Sequence, residues 1–215
     1  MRSNAPIPGN PWPHDMIITV EDRPNVLLEL LWIREAFTLQ PHGEDLPPSL
    51  SDTPEVVQNA ASSADTRAEW ACAWPRIWHA AVAHAGADTA SQLFDEIRTT
   101  PIGSAERAEL LHQINGPNWR DEFGDGAFHH DSYSTWSQLG MDALLAGLST
   151  PLEDHPERRD LPTLISAWHA GLTKIVTIPC AGEFTRKVSE NALLMTDATR
   201  EDSDSYRRAL STFVS

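Results

Sequence analysis

The sequence predicts an α+β fold, mostly α: a helical, bundle-like domain with a small C-terminal antiparallel β-hairpin or three-stranded sheet. Two observations carry this. Apolar residues recur at three- and four-residue steps along most of the chain as far as Ala170. Residues 172–178 and 183–188 then become β-branched and partly alternating, and Pro179, Cys180, Ala181 and Gly182 between them read as a turn. A hairpin must cover its apolar face to be stable, and the helices are the available cover.

The elements follow in order. Residues 1–13 are expected to form an extended, proline-rich tail, because Pro6, Pro8, Pro11 and Pro13 break helices. A single globular domain then spans 14–215. Residues 16–20 are a short β-compatible run. Glu21, Asp22 and Pro24 open a helix with Val26, Leu27, Leu30, Leu31 and Ile33 on its apolar face, ending near Leu39 before Pro41. Residues 40–62, with five prolines and glycines among polar residues, read as a long surface loop with one helical turn after Pro54.

Thr66 to Glu69 is a capping-box pattern. Trp70, Trp74, Ile77, Trp78 and Val82 follow at helical steps, with Pro75 expected to kink or divide that helix. Asp88 caps the next helix, with Leu93, Phe94 and Ile97. Ser104 caps another, with Leu110, Leu111 and Ile114, stopped by Asn115, Gly116 and Pro117. Residues 116–131 read as irregular. Residues 132–148 form a helix with Trp136, Leu139, Met141, Leu144 and Leu145. A second loop covers 149–161, and 161–170 is a short helix. Residues 192–196 offer a third strand. A closing helix groups Tyr206, Leu210 and Phe213 on one face.

Charge bounds the function. Lys and Arg number 16 against 31 Asp and Glu, a formal net charge of −15. Nucleic-acid binders neutralise phosphates with basic patches, so no nucleic-acid partner is expected. No apolar run reaches the length of a membrane span, so no membrane association is expected either. Cys72 and Cys180 cannot build a disulfide-dense scaffold, and the first residues lack the apolar core of a leader peptide. A cytoplasmic protein with free thiols is the reading. Lys174 and Lys187 are the only lysines, and alanine is abundant, which points to a high-GC bacterial source. The acids are dispersed, so the surface suits solubility or a basic partner rather than imitation of nucleic acid.

The densest chemistry lies in residues 119–131. Asp121, Glu122, Asp125, His129, His130 and Asp131 are ligand types for hard or borderline cations. A calcium loop beginning at Asp121 fails where Phe123 and Ser132 replace carboxylates. The adjacent imidazoles of His129 and His130 diverge in any regular structure. No metal is assigned, and no cofactor. Trp70, Trp74 and Trp78 read as core rather than as a stacking platform. Trp119 and Trp12 stand outside that stripe and are expected to be exposed, which makes Trp119 a binding candidate.

His79 and His84 lie too far round their helix to share a metal. Cys72 reads as a small buried hydrophobe. Cys180, at a turn near Lys174 and Lys187, is the candidate for a lowered thiol pKa. Serine-nucleophile, zinc-protease, phosphate-loop and dinucleotide motifs are absent from the chain.

Two functions follow. The first is a non-enzymatic acidic protein-interaction domain, with a protein partner or self-association. The second is a small-molecule binder or enzyme whose pocket forms between residues 116–136 and the Trp-rich helix. Its candidate binding residues are Trp119, Asp121, Asp125, His129, His130, Asp131 and Trp136.

Overall fold

Every residue of Lys174–Ile178 is buried, and so is every residue of Ala192–Thr196. Strands buried on both faces belong inside a sheet covered on each side. The computed structural model, which describes residues 9–57, 63–87, 91–147 and 151–214, shows that arrangement. Its strands are β1 (Thr19–Asp22), β2 (Lys174–Ile178), β3 (Thr185–Ser189) and β4 (Ala192–Thr196), in the order β1-β2-β4-β3. β2 runs parallel to β1, with Thr19 opposite Lys174, and parallel to β4, with Lys174 opposite Ala192. β3 is antiparallel to β4, with a bulge between Lys187 and Ser189.

The helices are α1 (Asn25–Ala36), α2 (Ala64–Gly86), α3 (Ser91–Thr99), α4 (Ala105–Asn115), α5 (Trp119–Phe123), α6 (Asp131–Gly147), α7 (Pro156–Arg159), α8 (Leu161–His169), α9 (Asp197–Glu201) and α10 (Ser203–Val214). The fold class is therefore α+β, mostly α. None of the described helices is long and apolar enough to cross a membrane.

Alternation along the inner strands sorts the core into two layers. Val176, Ile178 and Leu194 pack with Leu30, Leu31, Trp74 and Trp78 of α1 and α2. Ile175, Leu193 and Met195 pack with Leu164 of α8 and with Tyr206, Leu210 and Phe213 of α10. Burial of each such side chain stabilises the fold by about 1.5–3 kcal/mol. The Trp74 and Trp78 rings stack 5.2 Å apart, and Trp74 Nε1 donates to the Leu30 carbonyl at 2.7 Å. The core reading of these two indoles holds; Trp70 is half-buried at the edge of the same cluster.

Several sequence expectations need correction. Residues 172–178 and 183–188 do not form a hairpin with each other, since β4 lies between β2 and β3. Pro179 to Gly182 is not a hairpin turn. Its backbone is occupied by an upstream loop: Ala181 N–H donates to the Ser49 carbonyl, and Leu50 bridges to Cys180. The hairpin that does form is β3–β4, and 16–20 contributes to a fourth strand.

Ser63, not Thr66, caps α2, accepting the Thr66 N–H on its hydroxyl, and α2 runs on through Pro75 without division. No helical turn occurs in 54–57, and 58–62 lie outside the described residues, as do Asp88 and residues 1–8 of the expected tail. Residues 116–131 and 149–161 are not wholly irregular: they hold α5, α7 and two 3-10 turns, Gly126–His129 and Leu152–Asp154.

The loop after α1 is held from beneath. Arg34, buried at the end of α1, donates to the carbonyls of Pro47 at 2.7 Å and Pro48 at 2.6 Å. The position of residues 47–53 is thereby set by α1, and this builds one wall of the site described next.

Candidate functional site

In sheets with parallel strands, ligand crevices form outside the carboxyl ends of the strands. β1, β2 and β4 share a direction here, and the residues that leave them are Arg23, Pro179 and Asp197. A cleft of about 590 Å³ opens at that edge. One wall is the face of α6 formed by Trp136, Gly140 and Leu144, at four-residue steps, with Met141 beside them. The other holds Leu28 of α1, Leu50 and Pro179, with Arg23 at one end.

The α6 wall is fastened near its N-terminus. Trp136 Nε1 donates to the Asp52 carbonyl at 2.9 Å, and the Ser132 hydroxyl donates to the Glu55 carbonyl at 2.7 Å. The Tyr133 hydroxyl donates to Glu29 at 3.3 Å. Burial, then the Glu29 carboxylate, pushes the Tyr133 phenol up to about 12, so it stays a donor. Further along, Leu139, Met141 and Leu145 are 64%, 49% and 54% exposed. A helix apolar on most sides is normally covered, and among the described residues nothing covers these side chains.

Arg23 has φ of 53°, in the left-handed region that non-glycine residues seldom occupy. Its Nε and Nη2 both approach Asp197 Oδ2, at 2.9 and 2.7 Å. Arg23 and Leu144 also line a second cleft of about 320 Å³, so the Arg23–Asp197 pair stands between the two. Arg200 and Asp22 line that second cleft, and they pair with each other. Arg200 meets both oxygens of Glu157, at 2.7 and 2.9 Å, and Asp22 at 3.3 Å. Burial alone would lower the Arg200 pKa, but these carboxylates outweigh it and hold it above the ordinary arginine value.

Of the sequence-predicted site residues, Trp136 lines this cleft and the others do not. Trp119 is completely buried, correcting the expectation of an exposed loop tryptophan. Its ring stands perpendicular to Trp70 at 5.3 Å and lies 4.5 Å from Phe123, because Asn118 caps α5 and turns the indole inward. The region between 116–136 and α2 is thus filled by aromatic rings.

The polar candidates lie mostly on the outside. Asp121 accepts from Asn118 Nδ2 at 2.8 Å, and Asp125 faces His129 at 3.5 Å, both exposed. His130 is half-buried against Phe37, and Asp131 opens α6 at the surface. Among the described residues no three His, Cys, Asp or Glu side chains converge as a metal site.

Cys72 is exposed rather than the small buried hydrophobe expected, and Cys180 is buried, where a lowered thiol pKa was expected. Burial pushes the Cys180 thiol up to about 12, and the cation that faces it is Arg34 rather than a lysine.

Arg23, Leu28, Leu50, Gly140 and Pro179 were not singled out in sequence. One signal existed: Gly140 interrupts an apolar helix, where an isolated glycine often marks close approach or a gap. No known protein family, no curated protein and no solved structure matches the chain.

Proposed function

We propose that this chain is a non-enzymatic protein-interaction domain that receives an amphipathic segment of a basic partner in the cleft beside α6. The observation that carries the reading is the exposed apolar surface of α6, with Leu139 and Met141 exposed on the wall of an open cleft and Leu145 exposed on the same helix. Helix-in-groove recognition uses such a surface, with apolar anchors at helical spacing.

Charge selects the partner. α6 carries Asp131 and Asp142 and no Lys or Arg. Asp52 and Glu55, which receive its anchoring hydrogen bonds, are exposed as well. With a net charge of −15, a second copy would bring like rims together, whereas Lys and Arg flanking apolar anchors complement them. Two free thiols and a lysine-poor, alanine-rich composition support a cytoplasmic bacterial setting.

Fluorescence anisotropy with a labelled leucine–lysine amphipathic helix tests this, against a leucine–glutamate counterpart. The lysine peptide should bind saturably and weaken with salt, and the glutamate peptide should not bind. Gly140→Leu is the matched variant. A Cβ at Gly140 meets nothing within 4 Å, so the helix accepts a side chain at this point of the cleft wall. Removing a mid-helix glycine should also stabilise α6 by about 1 kcal/mol. Binding reduced about tenfold in this more stable variant supports the reading. Unchanged binding in Gly140→Leu, no binding by the lysine peptide, or a dimer in sedimentation would overturn it.

A further inference from the structure

Resting on that reading, we infer that the segment taken by the cleft is the C-terminal end of the partner, its terminal carboxylate held by Arg23. The Arg23 guanidinium spends its Nε–H and one Nη2–H on Asp197. A guanidinium has five N–H donors, and among the described residues none meets the edge formed by Nη1 and the remaining Nη2–H. That edge has the geometry of a planar carboxylate, and a fork of two parallel bonds is its strongest use. Arg23 is a wall of the cleft, whose other walls are largely apolar.

The site is fixed before a ligand arrives. Asp197 holds the adjoining edge of the guanidinium, and the Arg23 N–H donates to the Thr177 carbonyl at 3.1 Å. The left-handed backbone at Arg23 and the following Pro24, with its fixed φ, turn the chain from β1 into α1 at this point. A receptor group held in place loses little freedom on binding.

The carboxylate is that of a chain end because the Arg23–Asp197 pair closes the cleft. Past it lies the second cleft, whose charged lining is Asp22, Asp154, Asp197 and Glu201 together with Arg23, Arg159 and Arg200. A chain continuing in that direction must break the Arg23–Asp197 pair. A chain that stops at Arg23 leaves it intact. Its apolar side chains lie along Trp136, Met141 and Leu144, and its upstream Lys or Arg residues meet Asp52 on the cleft wall.

The test uses the intact protein and three forms of one peptide, a lysine-rich stretch followed by a leucine–phenylalanine end. One form has a free C-terminal carboxylate, one is amidated, and one continues for several residues beyond the apolar end. The free acid should bind at least about tenfold more tightly than either other form, as expected for loss of a charge-assisted fork. Arg23→Lys keeps the charge and the Asp197 pairing but not the fork, and should erase most of that difference.

Equal affinities for acid and amide in the unmodified protein overturn the inference. If both are then blocked by Gly140→Leu, the cleft reading survives and only the chain-end assignment falls. If none of the peptides binds, both fall. A preference for the free acid that persists in Arg23→Lys places the carboxylate elsewhere and also overturns the inference.

Discussion

The His84 imidazole fills the space in which a side chain on Gly116 would stand: a Cβ there would lie 2.2 Å from the ring's Cγ. Gly116 ends α4 with φ of 68° and ψ of −171°, a conformation essentially reserved for glycine. His84 Nε2 is 2.9 Å from the Ile114 carbonyl oxygen, so the ring is seated on the last turn of α4. This contact helps lock the α3–α4 pair onto α2.

Two costs therefore meet at one position. Gly116→Ala should destabilise the protein by about 3 kcal/mol, part from the backbone conformation and part from the clash. The two are separable in a double-mutant cycle with His84→Ala, read by urea unfolding. Removing the ring should relieve the clash but not the backbone strain, giving a coupling of about 1 kcal/mol or more. Strict additivity would mean that the imidazole moves aside freely, against the seating described.

The cysteines give a second prediction. Cys180 is fully buried between β2 and the loop at Leu50, where burial holds its thiol protonated. Cys72 is exposed on α2. A thiolate reagent in the native state at mildly alkaline pH should label one thiol per chain, mapped to Cys72 by mass spectrometry, and two after denaturation. Native labelling of Cys180 at a comparable rate would contradict the packing of Leu50 against it.

What the sequence reveals and conceals here follows from the range of the interactions. Trp74 and Trp78, or Tyr206 and Phe213, announce themselves because helical periodicity is local and their burial follows from it. β2 conceals its partners because it is buried on both faces, so Lys174 to Ile178 shows no clean alternation from which one covered face could be read. Proximity in the chain then suggests pairing with β3, whereas Thr19 and Ala192 provide the neighbours. Trp119 misleads for the opposite reason. A glycine- and aspartate-rich setting suggests exposure, but the Asn118 cap makes a short helix that buries the ring. The cleft was legible only at Trp136, since its other walls come from residues 23–28, 50–53 and 179, brought together by sheet order and by Arg34 holding the loop.

The Asp160 carboxylate supplies a pH-dependent prediction. Its side chain is fully buried at the α7–α8 junction. Burial by itself would raise its pKa. The Ser203 hydroxyl at 2.6 Å, Arg159 at 2.9 Å and Arg207 at 2.7 Å outweigh that and hold it below the usual carboxylate range. An aspartate in the unfolded chain titrates near 3.9, so the folded state favours the charged form. The resulting stability is present above about pH 4 and is lost as pH falls through the lower folded value. Asp160→Asn keeps the size and removes the charge. At neutral pH it should cost about 2 kcal/mol, less than a fully buried pair because Arg207 is half exposed. From about pH 4 downward the gap between the two proteins should narrow, and it should close as pH falls through the lower folded value, where the unmodified Asp160 also becomes neutral. Chemical unfolding across this range measures it; a gap of constant size from neutral to acid pH would show that Asp160 contributes through shape and hydrogen bonding alone.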